Sequence, residues 1–263
     1  MIRTTDYLLI DISNSFTKLA FASKTALLRS QRVATADLTA SYLRRLFKKR
    51  KIGLLVVCSV VPKKNREVRQ AAGTSKILWL NWRLRLGVGI DYPAPRTIGA
   101  DRLANAAAVA SLYGWPAIVV DFGTAVTFDI ISGRKSYIGG VIAPGLEAMT
   151  NFLYQRTALL PKLSLREPRN ALGKSTIEAM RSGAIYGYRG LVREIIARIK
   201  AEQFPRGKVK VVATGGYARL IAARLPEIHA IHPDLTLEGL RVVANLNMAH
   251  GREPPNLSVK GVV

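Results

Sequence analysis

Disulfide chemistry is missing from this sequence. Its one cysteine, Cys58, has no partner in the chain, so no intramolecular bridge can staple the fold. Cys58 lies within the apolar run Ile52–Val61 and reads as core filler on a buried strand. Histidine is nearly as scarce: His229, His232 and His250 fall late in the chain without the spacing of metal ligands, and no zinc, thiol or Ser-His-Asp site is indicated. No apolar run is long enough to cross a bilayer, and the N-terminus enters a strand rather than the apolar core of a secretion signal. A cytoplasmic location without a membrane partner is the expectation. Acidic residues are few, 17 against 40 Lys and Arg, for a net charge of +23. That balance favours anionic partners in general. The cations cluster in Arg44–Lys51, Lys63–Arg69 and around Arg83–Arg85. They lack the interleaved aromatics of a single-strand binder, read as solvated helix faces, and imply no specific nucleic acid.

What is present is a repeat. Ala117–Gly145 reads as an apolar strand ending in Asp121, a Gly-containing turn, a second strand through Ile131, and a third at Ser136–Ala143 closed by Pro144-Gly145. Tyr7–Ser23 has the same order: an apolar run, Asp11, a small polar turn, another strand. Overlaid, Asp11 matches Asp121, Ser13 matches Gly123 and Thr17 matches Thr127. Two such copies in 263 residues predict a duplicated domain, with residues 1–114 and 115–263 as the two halves. An acid at a strand end followed by a tight turn can hold a metal while backbone N–H groups face phosphate oxygens. Two ordinary hairpins with Asp in their turns would look similar.

In chain order, strands are predicted at Tyr7–Ile12, Phe16–Ala22, Ala26–Arg32, Ile52–Val60 and Lys76–Leu80. A basic helix spans about Asp37–Lys49, and a short one starts at Val61-Pro62. Gly87–Thr97 is a loop. It leads into the Ala-rich helix Ile98–Leu112, with Asp101 and Arg102 in its first turn and Asn105 one turn on. An acid there is also an ordinary cap or dipole partner. In the second half, Gly145–Tyr154 is a helix, Gln155–Leu172 an insertion, and Thr176–Ala201 a long helix behind the Ser175–Glu178 capping box. A strand at Lys208–Ala213 ends in Thr214-Gly215-Gly216, and a helix at Tyr217–Arg224 follows. The last helix, about Leu237–Asn247, precedes a polar, Pro-containing tail expected to be mobile.

Taken together these stretches resemble the type III pantothenate kinases of the acetate-kinase/sugar-kinase/Hsp70/actin superfamily. The carriers are Asp11–Lys18 (DISNSFTK), Gly99-Ala100-Asp101-Arg102 with Asn105, Asp121-Phe122-Gly123-Thr124, Gly139-Gly140, Ala143-Pro144-Gly145, Thr157–Pro161, Gly183, Thr214-Gly215-Gly216 and Leu237–Leu240. The resemblance implies an α/β fold of duplicated ribonuclease H-like (actin-like ATPase) domains, each a mixed five-stranded sheet flanked by helices. It implies transfer of the ATP γ-phosphate to the primary hydroxyl of pantothenate, giving 4'-phosphopantothenate, the first step of coenzyme A synthesis. By analogy Asp101 orients that hydroxyl and accepts its proton. Gly99, Ala100 and Arg102 hold the pantothenate, and Tyr92 and Thr176 complete its pocket at a homodimer interface, with Thr176 supplied across it. The run Asp11, Ile12, Ser13, Asn14, Ser15, Phe16, Thr17 and Lys18 surrounds the ATP phosphates, with Asp11, Asn14 and Lys18 serving them and Mg²⁺. Asp121 binds a monovalent cation, K⁺ or NH₄⁺, and Thr124 binds ATP.

Three positions depart from the family pattern: Ser13 for Gly, Ser15 for Thr and Val126 for Thr. If position 13 requires positive φ, a side chain there costs about 1–2 kcal/mol. The alternative reading is therefore a nucleotide-binding regulatory paralogue impaired in turnover.

Overall fold

The computed structural model describes residues 3–48 and 50–248. Lys49, where the expected basic helix ends, and the tail from residue 249 with His250 lie outside the described residues.

The chain forms two compact units. The first opens with β1 (Arg3–Ile12), β2 (Phe16–Ala22) and β3 (Gln31–Ala34), continues through α1 (Ala40–Phe47), β4 (Arg50–Ser59) and α2 (Pro62–Ala72), and reaches β5 (Ile77–Trp79). Its sheet has the order β3-β2-β1-β4-β5. The β1–β2–β3 meander is antiparallel, whereas β4 and β5 run parallel to β1. Alternation along β1 puts Leu8, Ile10 and Ile12 on the face covered by α1 and α2, where Leu43, Leu46, Val68 and Ala71 join them. Leu9 and Asp11 therefore point to the other face. Cys58 is fully buried on β4, as expected.

The chain next makes β6 (Gly89–Ile90) and α3 (Ala100–Leu112). Alanine dominates α3 because Ala104, Ala106, Ala107 and Ala108 are all buried, so that side of the helix has no room for longer side chains.

The second unit contains β7 (Ala117–Phe122), β8 (Ala125–Ile131), β9 (Ser136–Pro144), α4 (Leu146–Arg156), α5 (Thr176–Gln203), β10 (Lys210–Thr214), α6 (Ala218–Ala222) and β11 (Ala230–Ile231). Its sheet order is β11-β10-β7-β8-β9-β6. Five of these strands repeat the first sheet, antiparallel through β7–β8–β9 and parallel through β7, β10 and β11. The sixth, β6, lies in the stretch expected as loop and pairs in parallel with β9. Ile118, Val120 and Phe122 face α5, which buries Ile185, Tyr188, Val192, Ile196 and Ile199 along one stripe. The final helix is α7 (Leu235–Met248).

A single cut after residue 114 does not describe the compact units. From Thr236 onward the described chain groups with the first unit, and Val88–Pro93 groups with the second. Specific bonds explain the return of α7: Tyr7 Oη donates to Asn245 Oδ1 at 2.8 Å, Thr236 Oγ1 to Asn105 Oδ1 at 2.9 Å, and Arg241 Nη1 to the Lys24 carbonyl at 2.7 Å.

Candidate active site

In the first unit the turn after β1 brings together the whole run Asp11–Lys18. Asp11 is buried, and Ser13 Oγ donates to its Oδ1 at 3.2 Å. The turn is closed by Ser13 N to Phe16 O at 3.2 Å and braced by Thr35, whose N–H donates to Ser15 O at 3.0 Å and whose Oγ1 donates to Ser13 O at 2.7 Å. Ile12 is core, Thr17 is buried in a hydroxyl pair with Thr35 at 3.0 Å, and Asn14, Ser15 and Phe16 are exposed at the tip. Lys18 is the register partner of Asp11 across β2. An acid, a cation and a ring of turn backbone thus share one strand end, the donor set a polyphosphate and its counter-cation require.

The overlay of the two hairpins needs one correction. Ile12 pairs with Thr17 across a four-residue turn, whereas Phe122 pairs with Val126 across three. The first turn is one residue longer, so the structural counterpart of Thr127 is Lys18 rather than Thr17. A cation faces the first acid, and a hydroxyl faces the second.

Ser13 does not strain its backbone. Among the described residues Lys135, at φ 58°, is the one non-glycine residue with positive φ. The penalty anticipated for a side chain at position 13 is absent.

Asp101 and Arg102 sit in the first turn of α3, both half-buried. Asp101 Oδ1 accepts from Arg102 N at 2.8 Å, so the carboxylate folds back over the helix start. That fold needs Gly99, because a Cβ there would collide with Asp101 Oδ1. Burial pushes the Asp101 pKa up, and the Arg102 N–H and guanidinium offset part of the rise. Ala100 begins the helix. Asn105, of the same motif, is fully buried and takes a structural bond from Thr236.

In the second unit Asp121 ends β7 with Thr127 as its register partner. Parallel pairing sets Thr214 of β10 beside Asp121, which carries Gly215 against the carboxylate. Thr124 is exposed on the turn, and its carbonyl accepts from Gly145 N at 3.2 Å. A Cβ at Gly145 would collide with that carbonyl. The stretches Asp121–Thr124, Pro144–Gly145 and Thr214–Gly215, far apart in sequence, therefore converge. Among the described residues no three His, Cys, Asp or Glu side chains cluster. A cation at this position would meet one protein carboxylate and would need its remaining ligands from backbone, substrate or water oxygens, a donor set suited to hard ions.

Tyr92 and Thr176 also fall in the second unit. The Tyr92 ring stands edge-on to Tyr137 at 6.1 Å, on a segment stitched to β9 by Gly89 N to Lys135 O and Asp91 N to Tyr137 O, both 2.9 Å. Tyr137 is buried, and its hydroxyl donates to the buried Asp129 Oδ1 at 3.3 Å. This support beneath Tyr92 went unseen in the sequence, where Asp129 sits in an apolar strand. Thr176 is exposed as the first residue of α5, behind Ser175, which caps Glu178 N at 3.3 Å. The extended insertion ahead of it is held by Arg189, 6% exposed, whose guanidinium grips Glu167 at 2.9 and 2.6 Å.

Two mixed sheets sharing a five-strand order, each with an acid near the end of its central strand, β1 or β7, have the actin-like fold, the class to which sugar kinases belong. Consistent with this, the chain resembles a solved Sinorhizobium meliloti protein described as a 2-dehydro-3-deoxygalactonokinase, with TM-score 0.54 and 15% identity over 91% of this chain and 98% of that one. Within this class the sequence is far more particular, for residues 7–198 match the family model for type III pantothenate kinase. A type III pantothenate kinase of Akkermansia muciniphila is 50% identical over 243 residues, 92% of this chain and 99% of the relative. One from Methylacidiphilum infernorum is 41% identical over 246 residues, 94% and 90% of the two. The chain belongs to the type III pantothenate kinase family.

Proposed function

We infer that this protein phosphorylates the primary hydroxyl of pantothenate with ATP, the first step of coenzyme A synthesis. Membership of the family carries the reading, and the intact Asp101–Arg102 turn with its Gly99 supports it. In the reaction the hydroxyl oxygen bonds to the γ-phosphorus, the bond from that phosphorus to the β,γ-bridging oxygen breaks, and ADP leaves. Asp101 orients the hydroxyl and takes its proton. A carboxylate whose burial raises its affinity for protons is suited to that role. Arg102 offsets charge on the substrate side. Ser13, Asn14, Ser15 and Lys18 cradle the triphosphate, and Thr124 contributes from the second hairpin. Such transfers depend on positioning and charge neutralisation more than on covalent chemistry.

Asp11 would hold Mg²⁺ and Asp121 a K⁺ or NH₄⁺ ion; when bound, these cations neutralise phosphate charge. Tyr92, Gly99, Ala100 and Thr176 would form the pantothenate pocket. A homodimer is supported by the apolar side chains that α4 exposes, Met149, Phe152, Leu153 and Tyr154, since a soluble chain ordinarily covers such a patch. No described helix is long and apolar enough to cross a membrane, which fits a cytoplasmic enzyme. The regulatory alternative loses its main support with the relaxed backbone of Ser13.

The test is ADP release with ATP, Mg²⁺ and pantothenate, comparing K⁺ with Na⁺, and sedimentation to read the oligomer. Pantothenate-dependent, K⁺-stimulated turnover by a dimer is expected. ATP binding without turnover would return the regulator to favour.

A further inference from the structure

Between Ala40 and Gly87 the sequence carries thirteen Lys and Arg and a single acid, Glu67. That acid is committed internally, because Glu67 Oε2 accepts from Ala40 N at 2.7 Å at the start of α1. Burial of Leu43, Leu46, Val68, Ala71 and Ala72 turns the apolar stripes of α1 and α2 onto one sheet face, so their polar sides both look outward. Arg44 Nη2 donates to Gln70 O at 3.1 Å and ties the two helices together, and Arg69 lies over the Trp79 ring at 5.0 Å, extending the surface to β5. Arg45, Lys48, Lys63 and Arg66 are exposed and make no ion pair with a described residue. The cation clusters that begin at Arg44 and at Lys63 in the sequence thus meet on one face.

We propose that the outer face of α1 and α2 docks the phosphate backbone of duplex nucleic acid, independently of base sequence. Six cations on two packed helices complement a regular polyanion. A bilayer fits less well. Among the described residues, neither helix exposes a large apolar side chain, which an amphipathic membrane helix would bury among lipids. Single strands fit less well too, since neither helix exposes an aromatic ring on which bases could stack. Both helices start near the phosphate turn, α1 soon after Thr35 and α2 soon after Ser59, which pairs with Ile12, but their C-terminal ends stand clear of it. Asp11 pairs with Cys58 near one end of β4, whereas α1 runs into Arg50 at the other, about 26 Å away along an extended strand. Docking and phosphoryl transfer are thus separable.

The experiment is fluorescence anisotropy of a labelled 20-bp duplex with the full chain between 50 and 200 mM KCl. Neutralising about six phosphates gives a slope of log K against log salt near −5, so affinity falls on the order of 10³-fold over that range. Reversing Arg45, Lys48, Arg66 and Arg69, exposed cations away from the phosphate turn, to Glu should abolish binding at 100 mM KCl, with pantothenate-dependent ADP release unchanged. Reversing Arg134, Arg206, Lys208 and Lys210, exposed cations of the second unit, alters net charge equally and should cost far less. An equal loss in both sets would reduce the effect to net charge and overturn the proposal. Unchanged binding in the first set would do the same, as would binding to phosphatidylserine vesicles but not to the duplex. If the reversed chain fails to fold, Gln at the same four positions, expected to flatten the slope by about four, decides the matter.

Discussion

Gly215 lies so close to Asp121 that a Cβ on it would stand 2.6 Å from Asp121 Oδ1 and 2.6 Å from the backbone of Phe122. Its φ of +93° would strain any other residue as well. Gly215→Ala should therefore displace the Asp121 carboxylate. The expected outcome is a loss of about 1–3 kcal/mol of stability, together with loss of K⁺-stimulated turnover. Urea unfolding and ADP release in K⁺ against Na⁺ measure the two. Stimulation retained at full strength would separate Asp121 from the cation.

Ser13 carries the opposite expectation. It occupies ordinary backbone and donates to Asp11 Oδ1, so restoring the family's glycine removes a bond and adds backbone freedom. Ser13→Gly should cost about 0.5–1 kcal/mol and leave kcat the same or lower. A several-fold rise in kcat would mean that the serine does obstruct ATP.

The two strand–acid–turn–strand repeats were legible because each is local. β2 falls at Phe16–Ala22 as predicted, and the Ser175–Glu178 capping box places the start of α5 at Thr176. Elements made by distant pairing were not legible. β6 and β11 have two residues each and exist through partners on β9 and β10. The third strand was expected at Ala26–Arg32 but forms at Gln31–Ala34, because Leu27 makes only an isolated bridge with Ala22 after the Ser23–Ala26 turn. At the site, spacing alone leaves Asp101 as a helix cap, and family likeness singled it out. The contact with Gly99 that fixes its carboxylate, and the Asp129–Tyr137 support under Tyr92, required coordinates.

Asp101 offers a test in which stability and activity move in opposite directions. With its pKa raised by burial, the folded chain binds more protons than the unfolded chain between the two pKa values. Stability then falls as pH rises from the ordinary carboxylate range through the folded pKa. Asp101→Asn keeps an acceptor for Arg102 N but removes that charge. Turnover should drop by about 10²–10⁴-fold with ATP binding intact. Urea unfolding should show the variant gaining on the parent at pH 7 relative to pH 4. An equal difference at both pH values would remove the burial cost from the account.

Glu167 and Arg189 give the reverse pH dependence. The two hydrogen bonds from the Arg189 guanidinium hold the Glu167 pKa below its usual value, so this contribution is present above the unfolded carboxylate range and is lost as pH falls through the folded pKa. The Glu167 side chain is 43% exposed, against 7% for Arg189, so solvent screens much of the charge attraction. The cost of Glu167→Ala comes instead from a buried guanidinium left with only the carbonyls of Leu220 and Ile221, at 2.7 and 3.4 Å. About 1.5–3 kcal/mol of stability should be lost, and the insertion ahead of α5 should become the first site of protease cleavage, because this pair fastens it to the helix. Limited proteolysis followed by mass analysis reads the position of the cut. A cut elsewhere, at the rate seen for the parent, would mean that Arg181 and Ser182, which bind the Ser164 and Ala171 carbonyls, hold the insertion without Glu167.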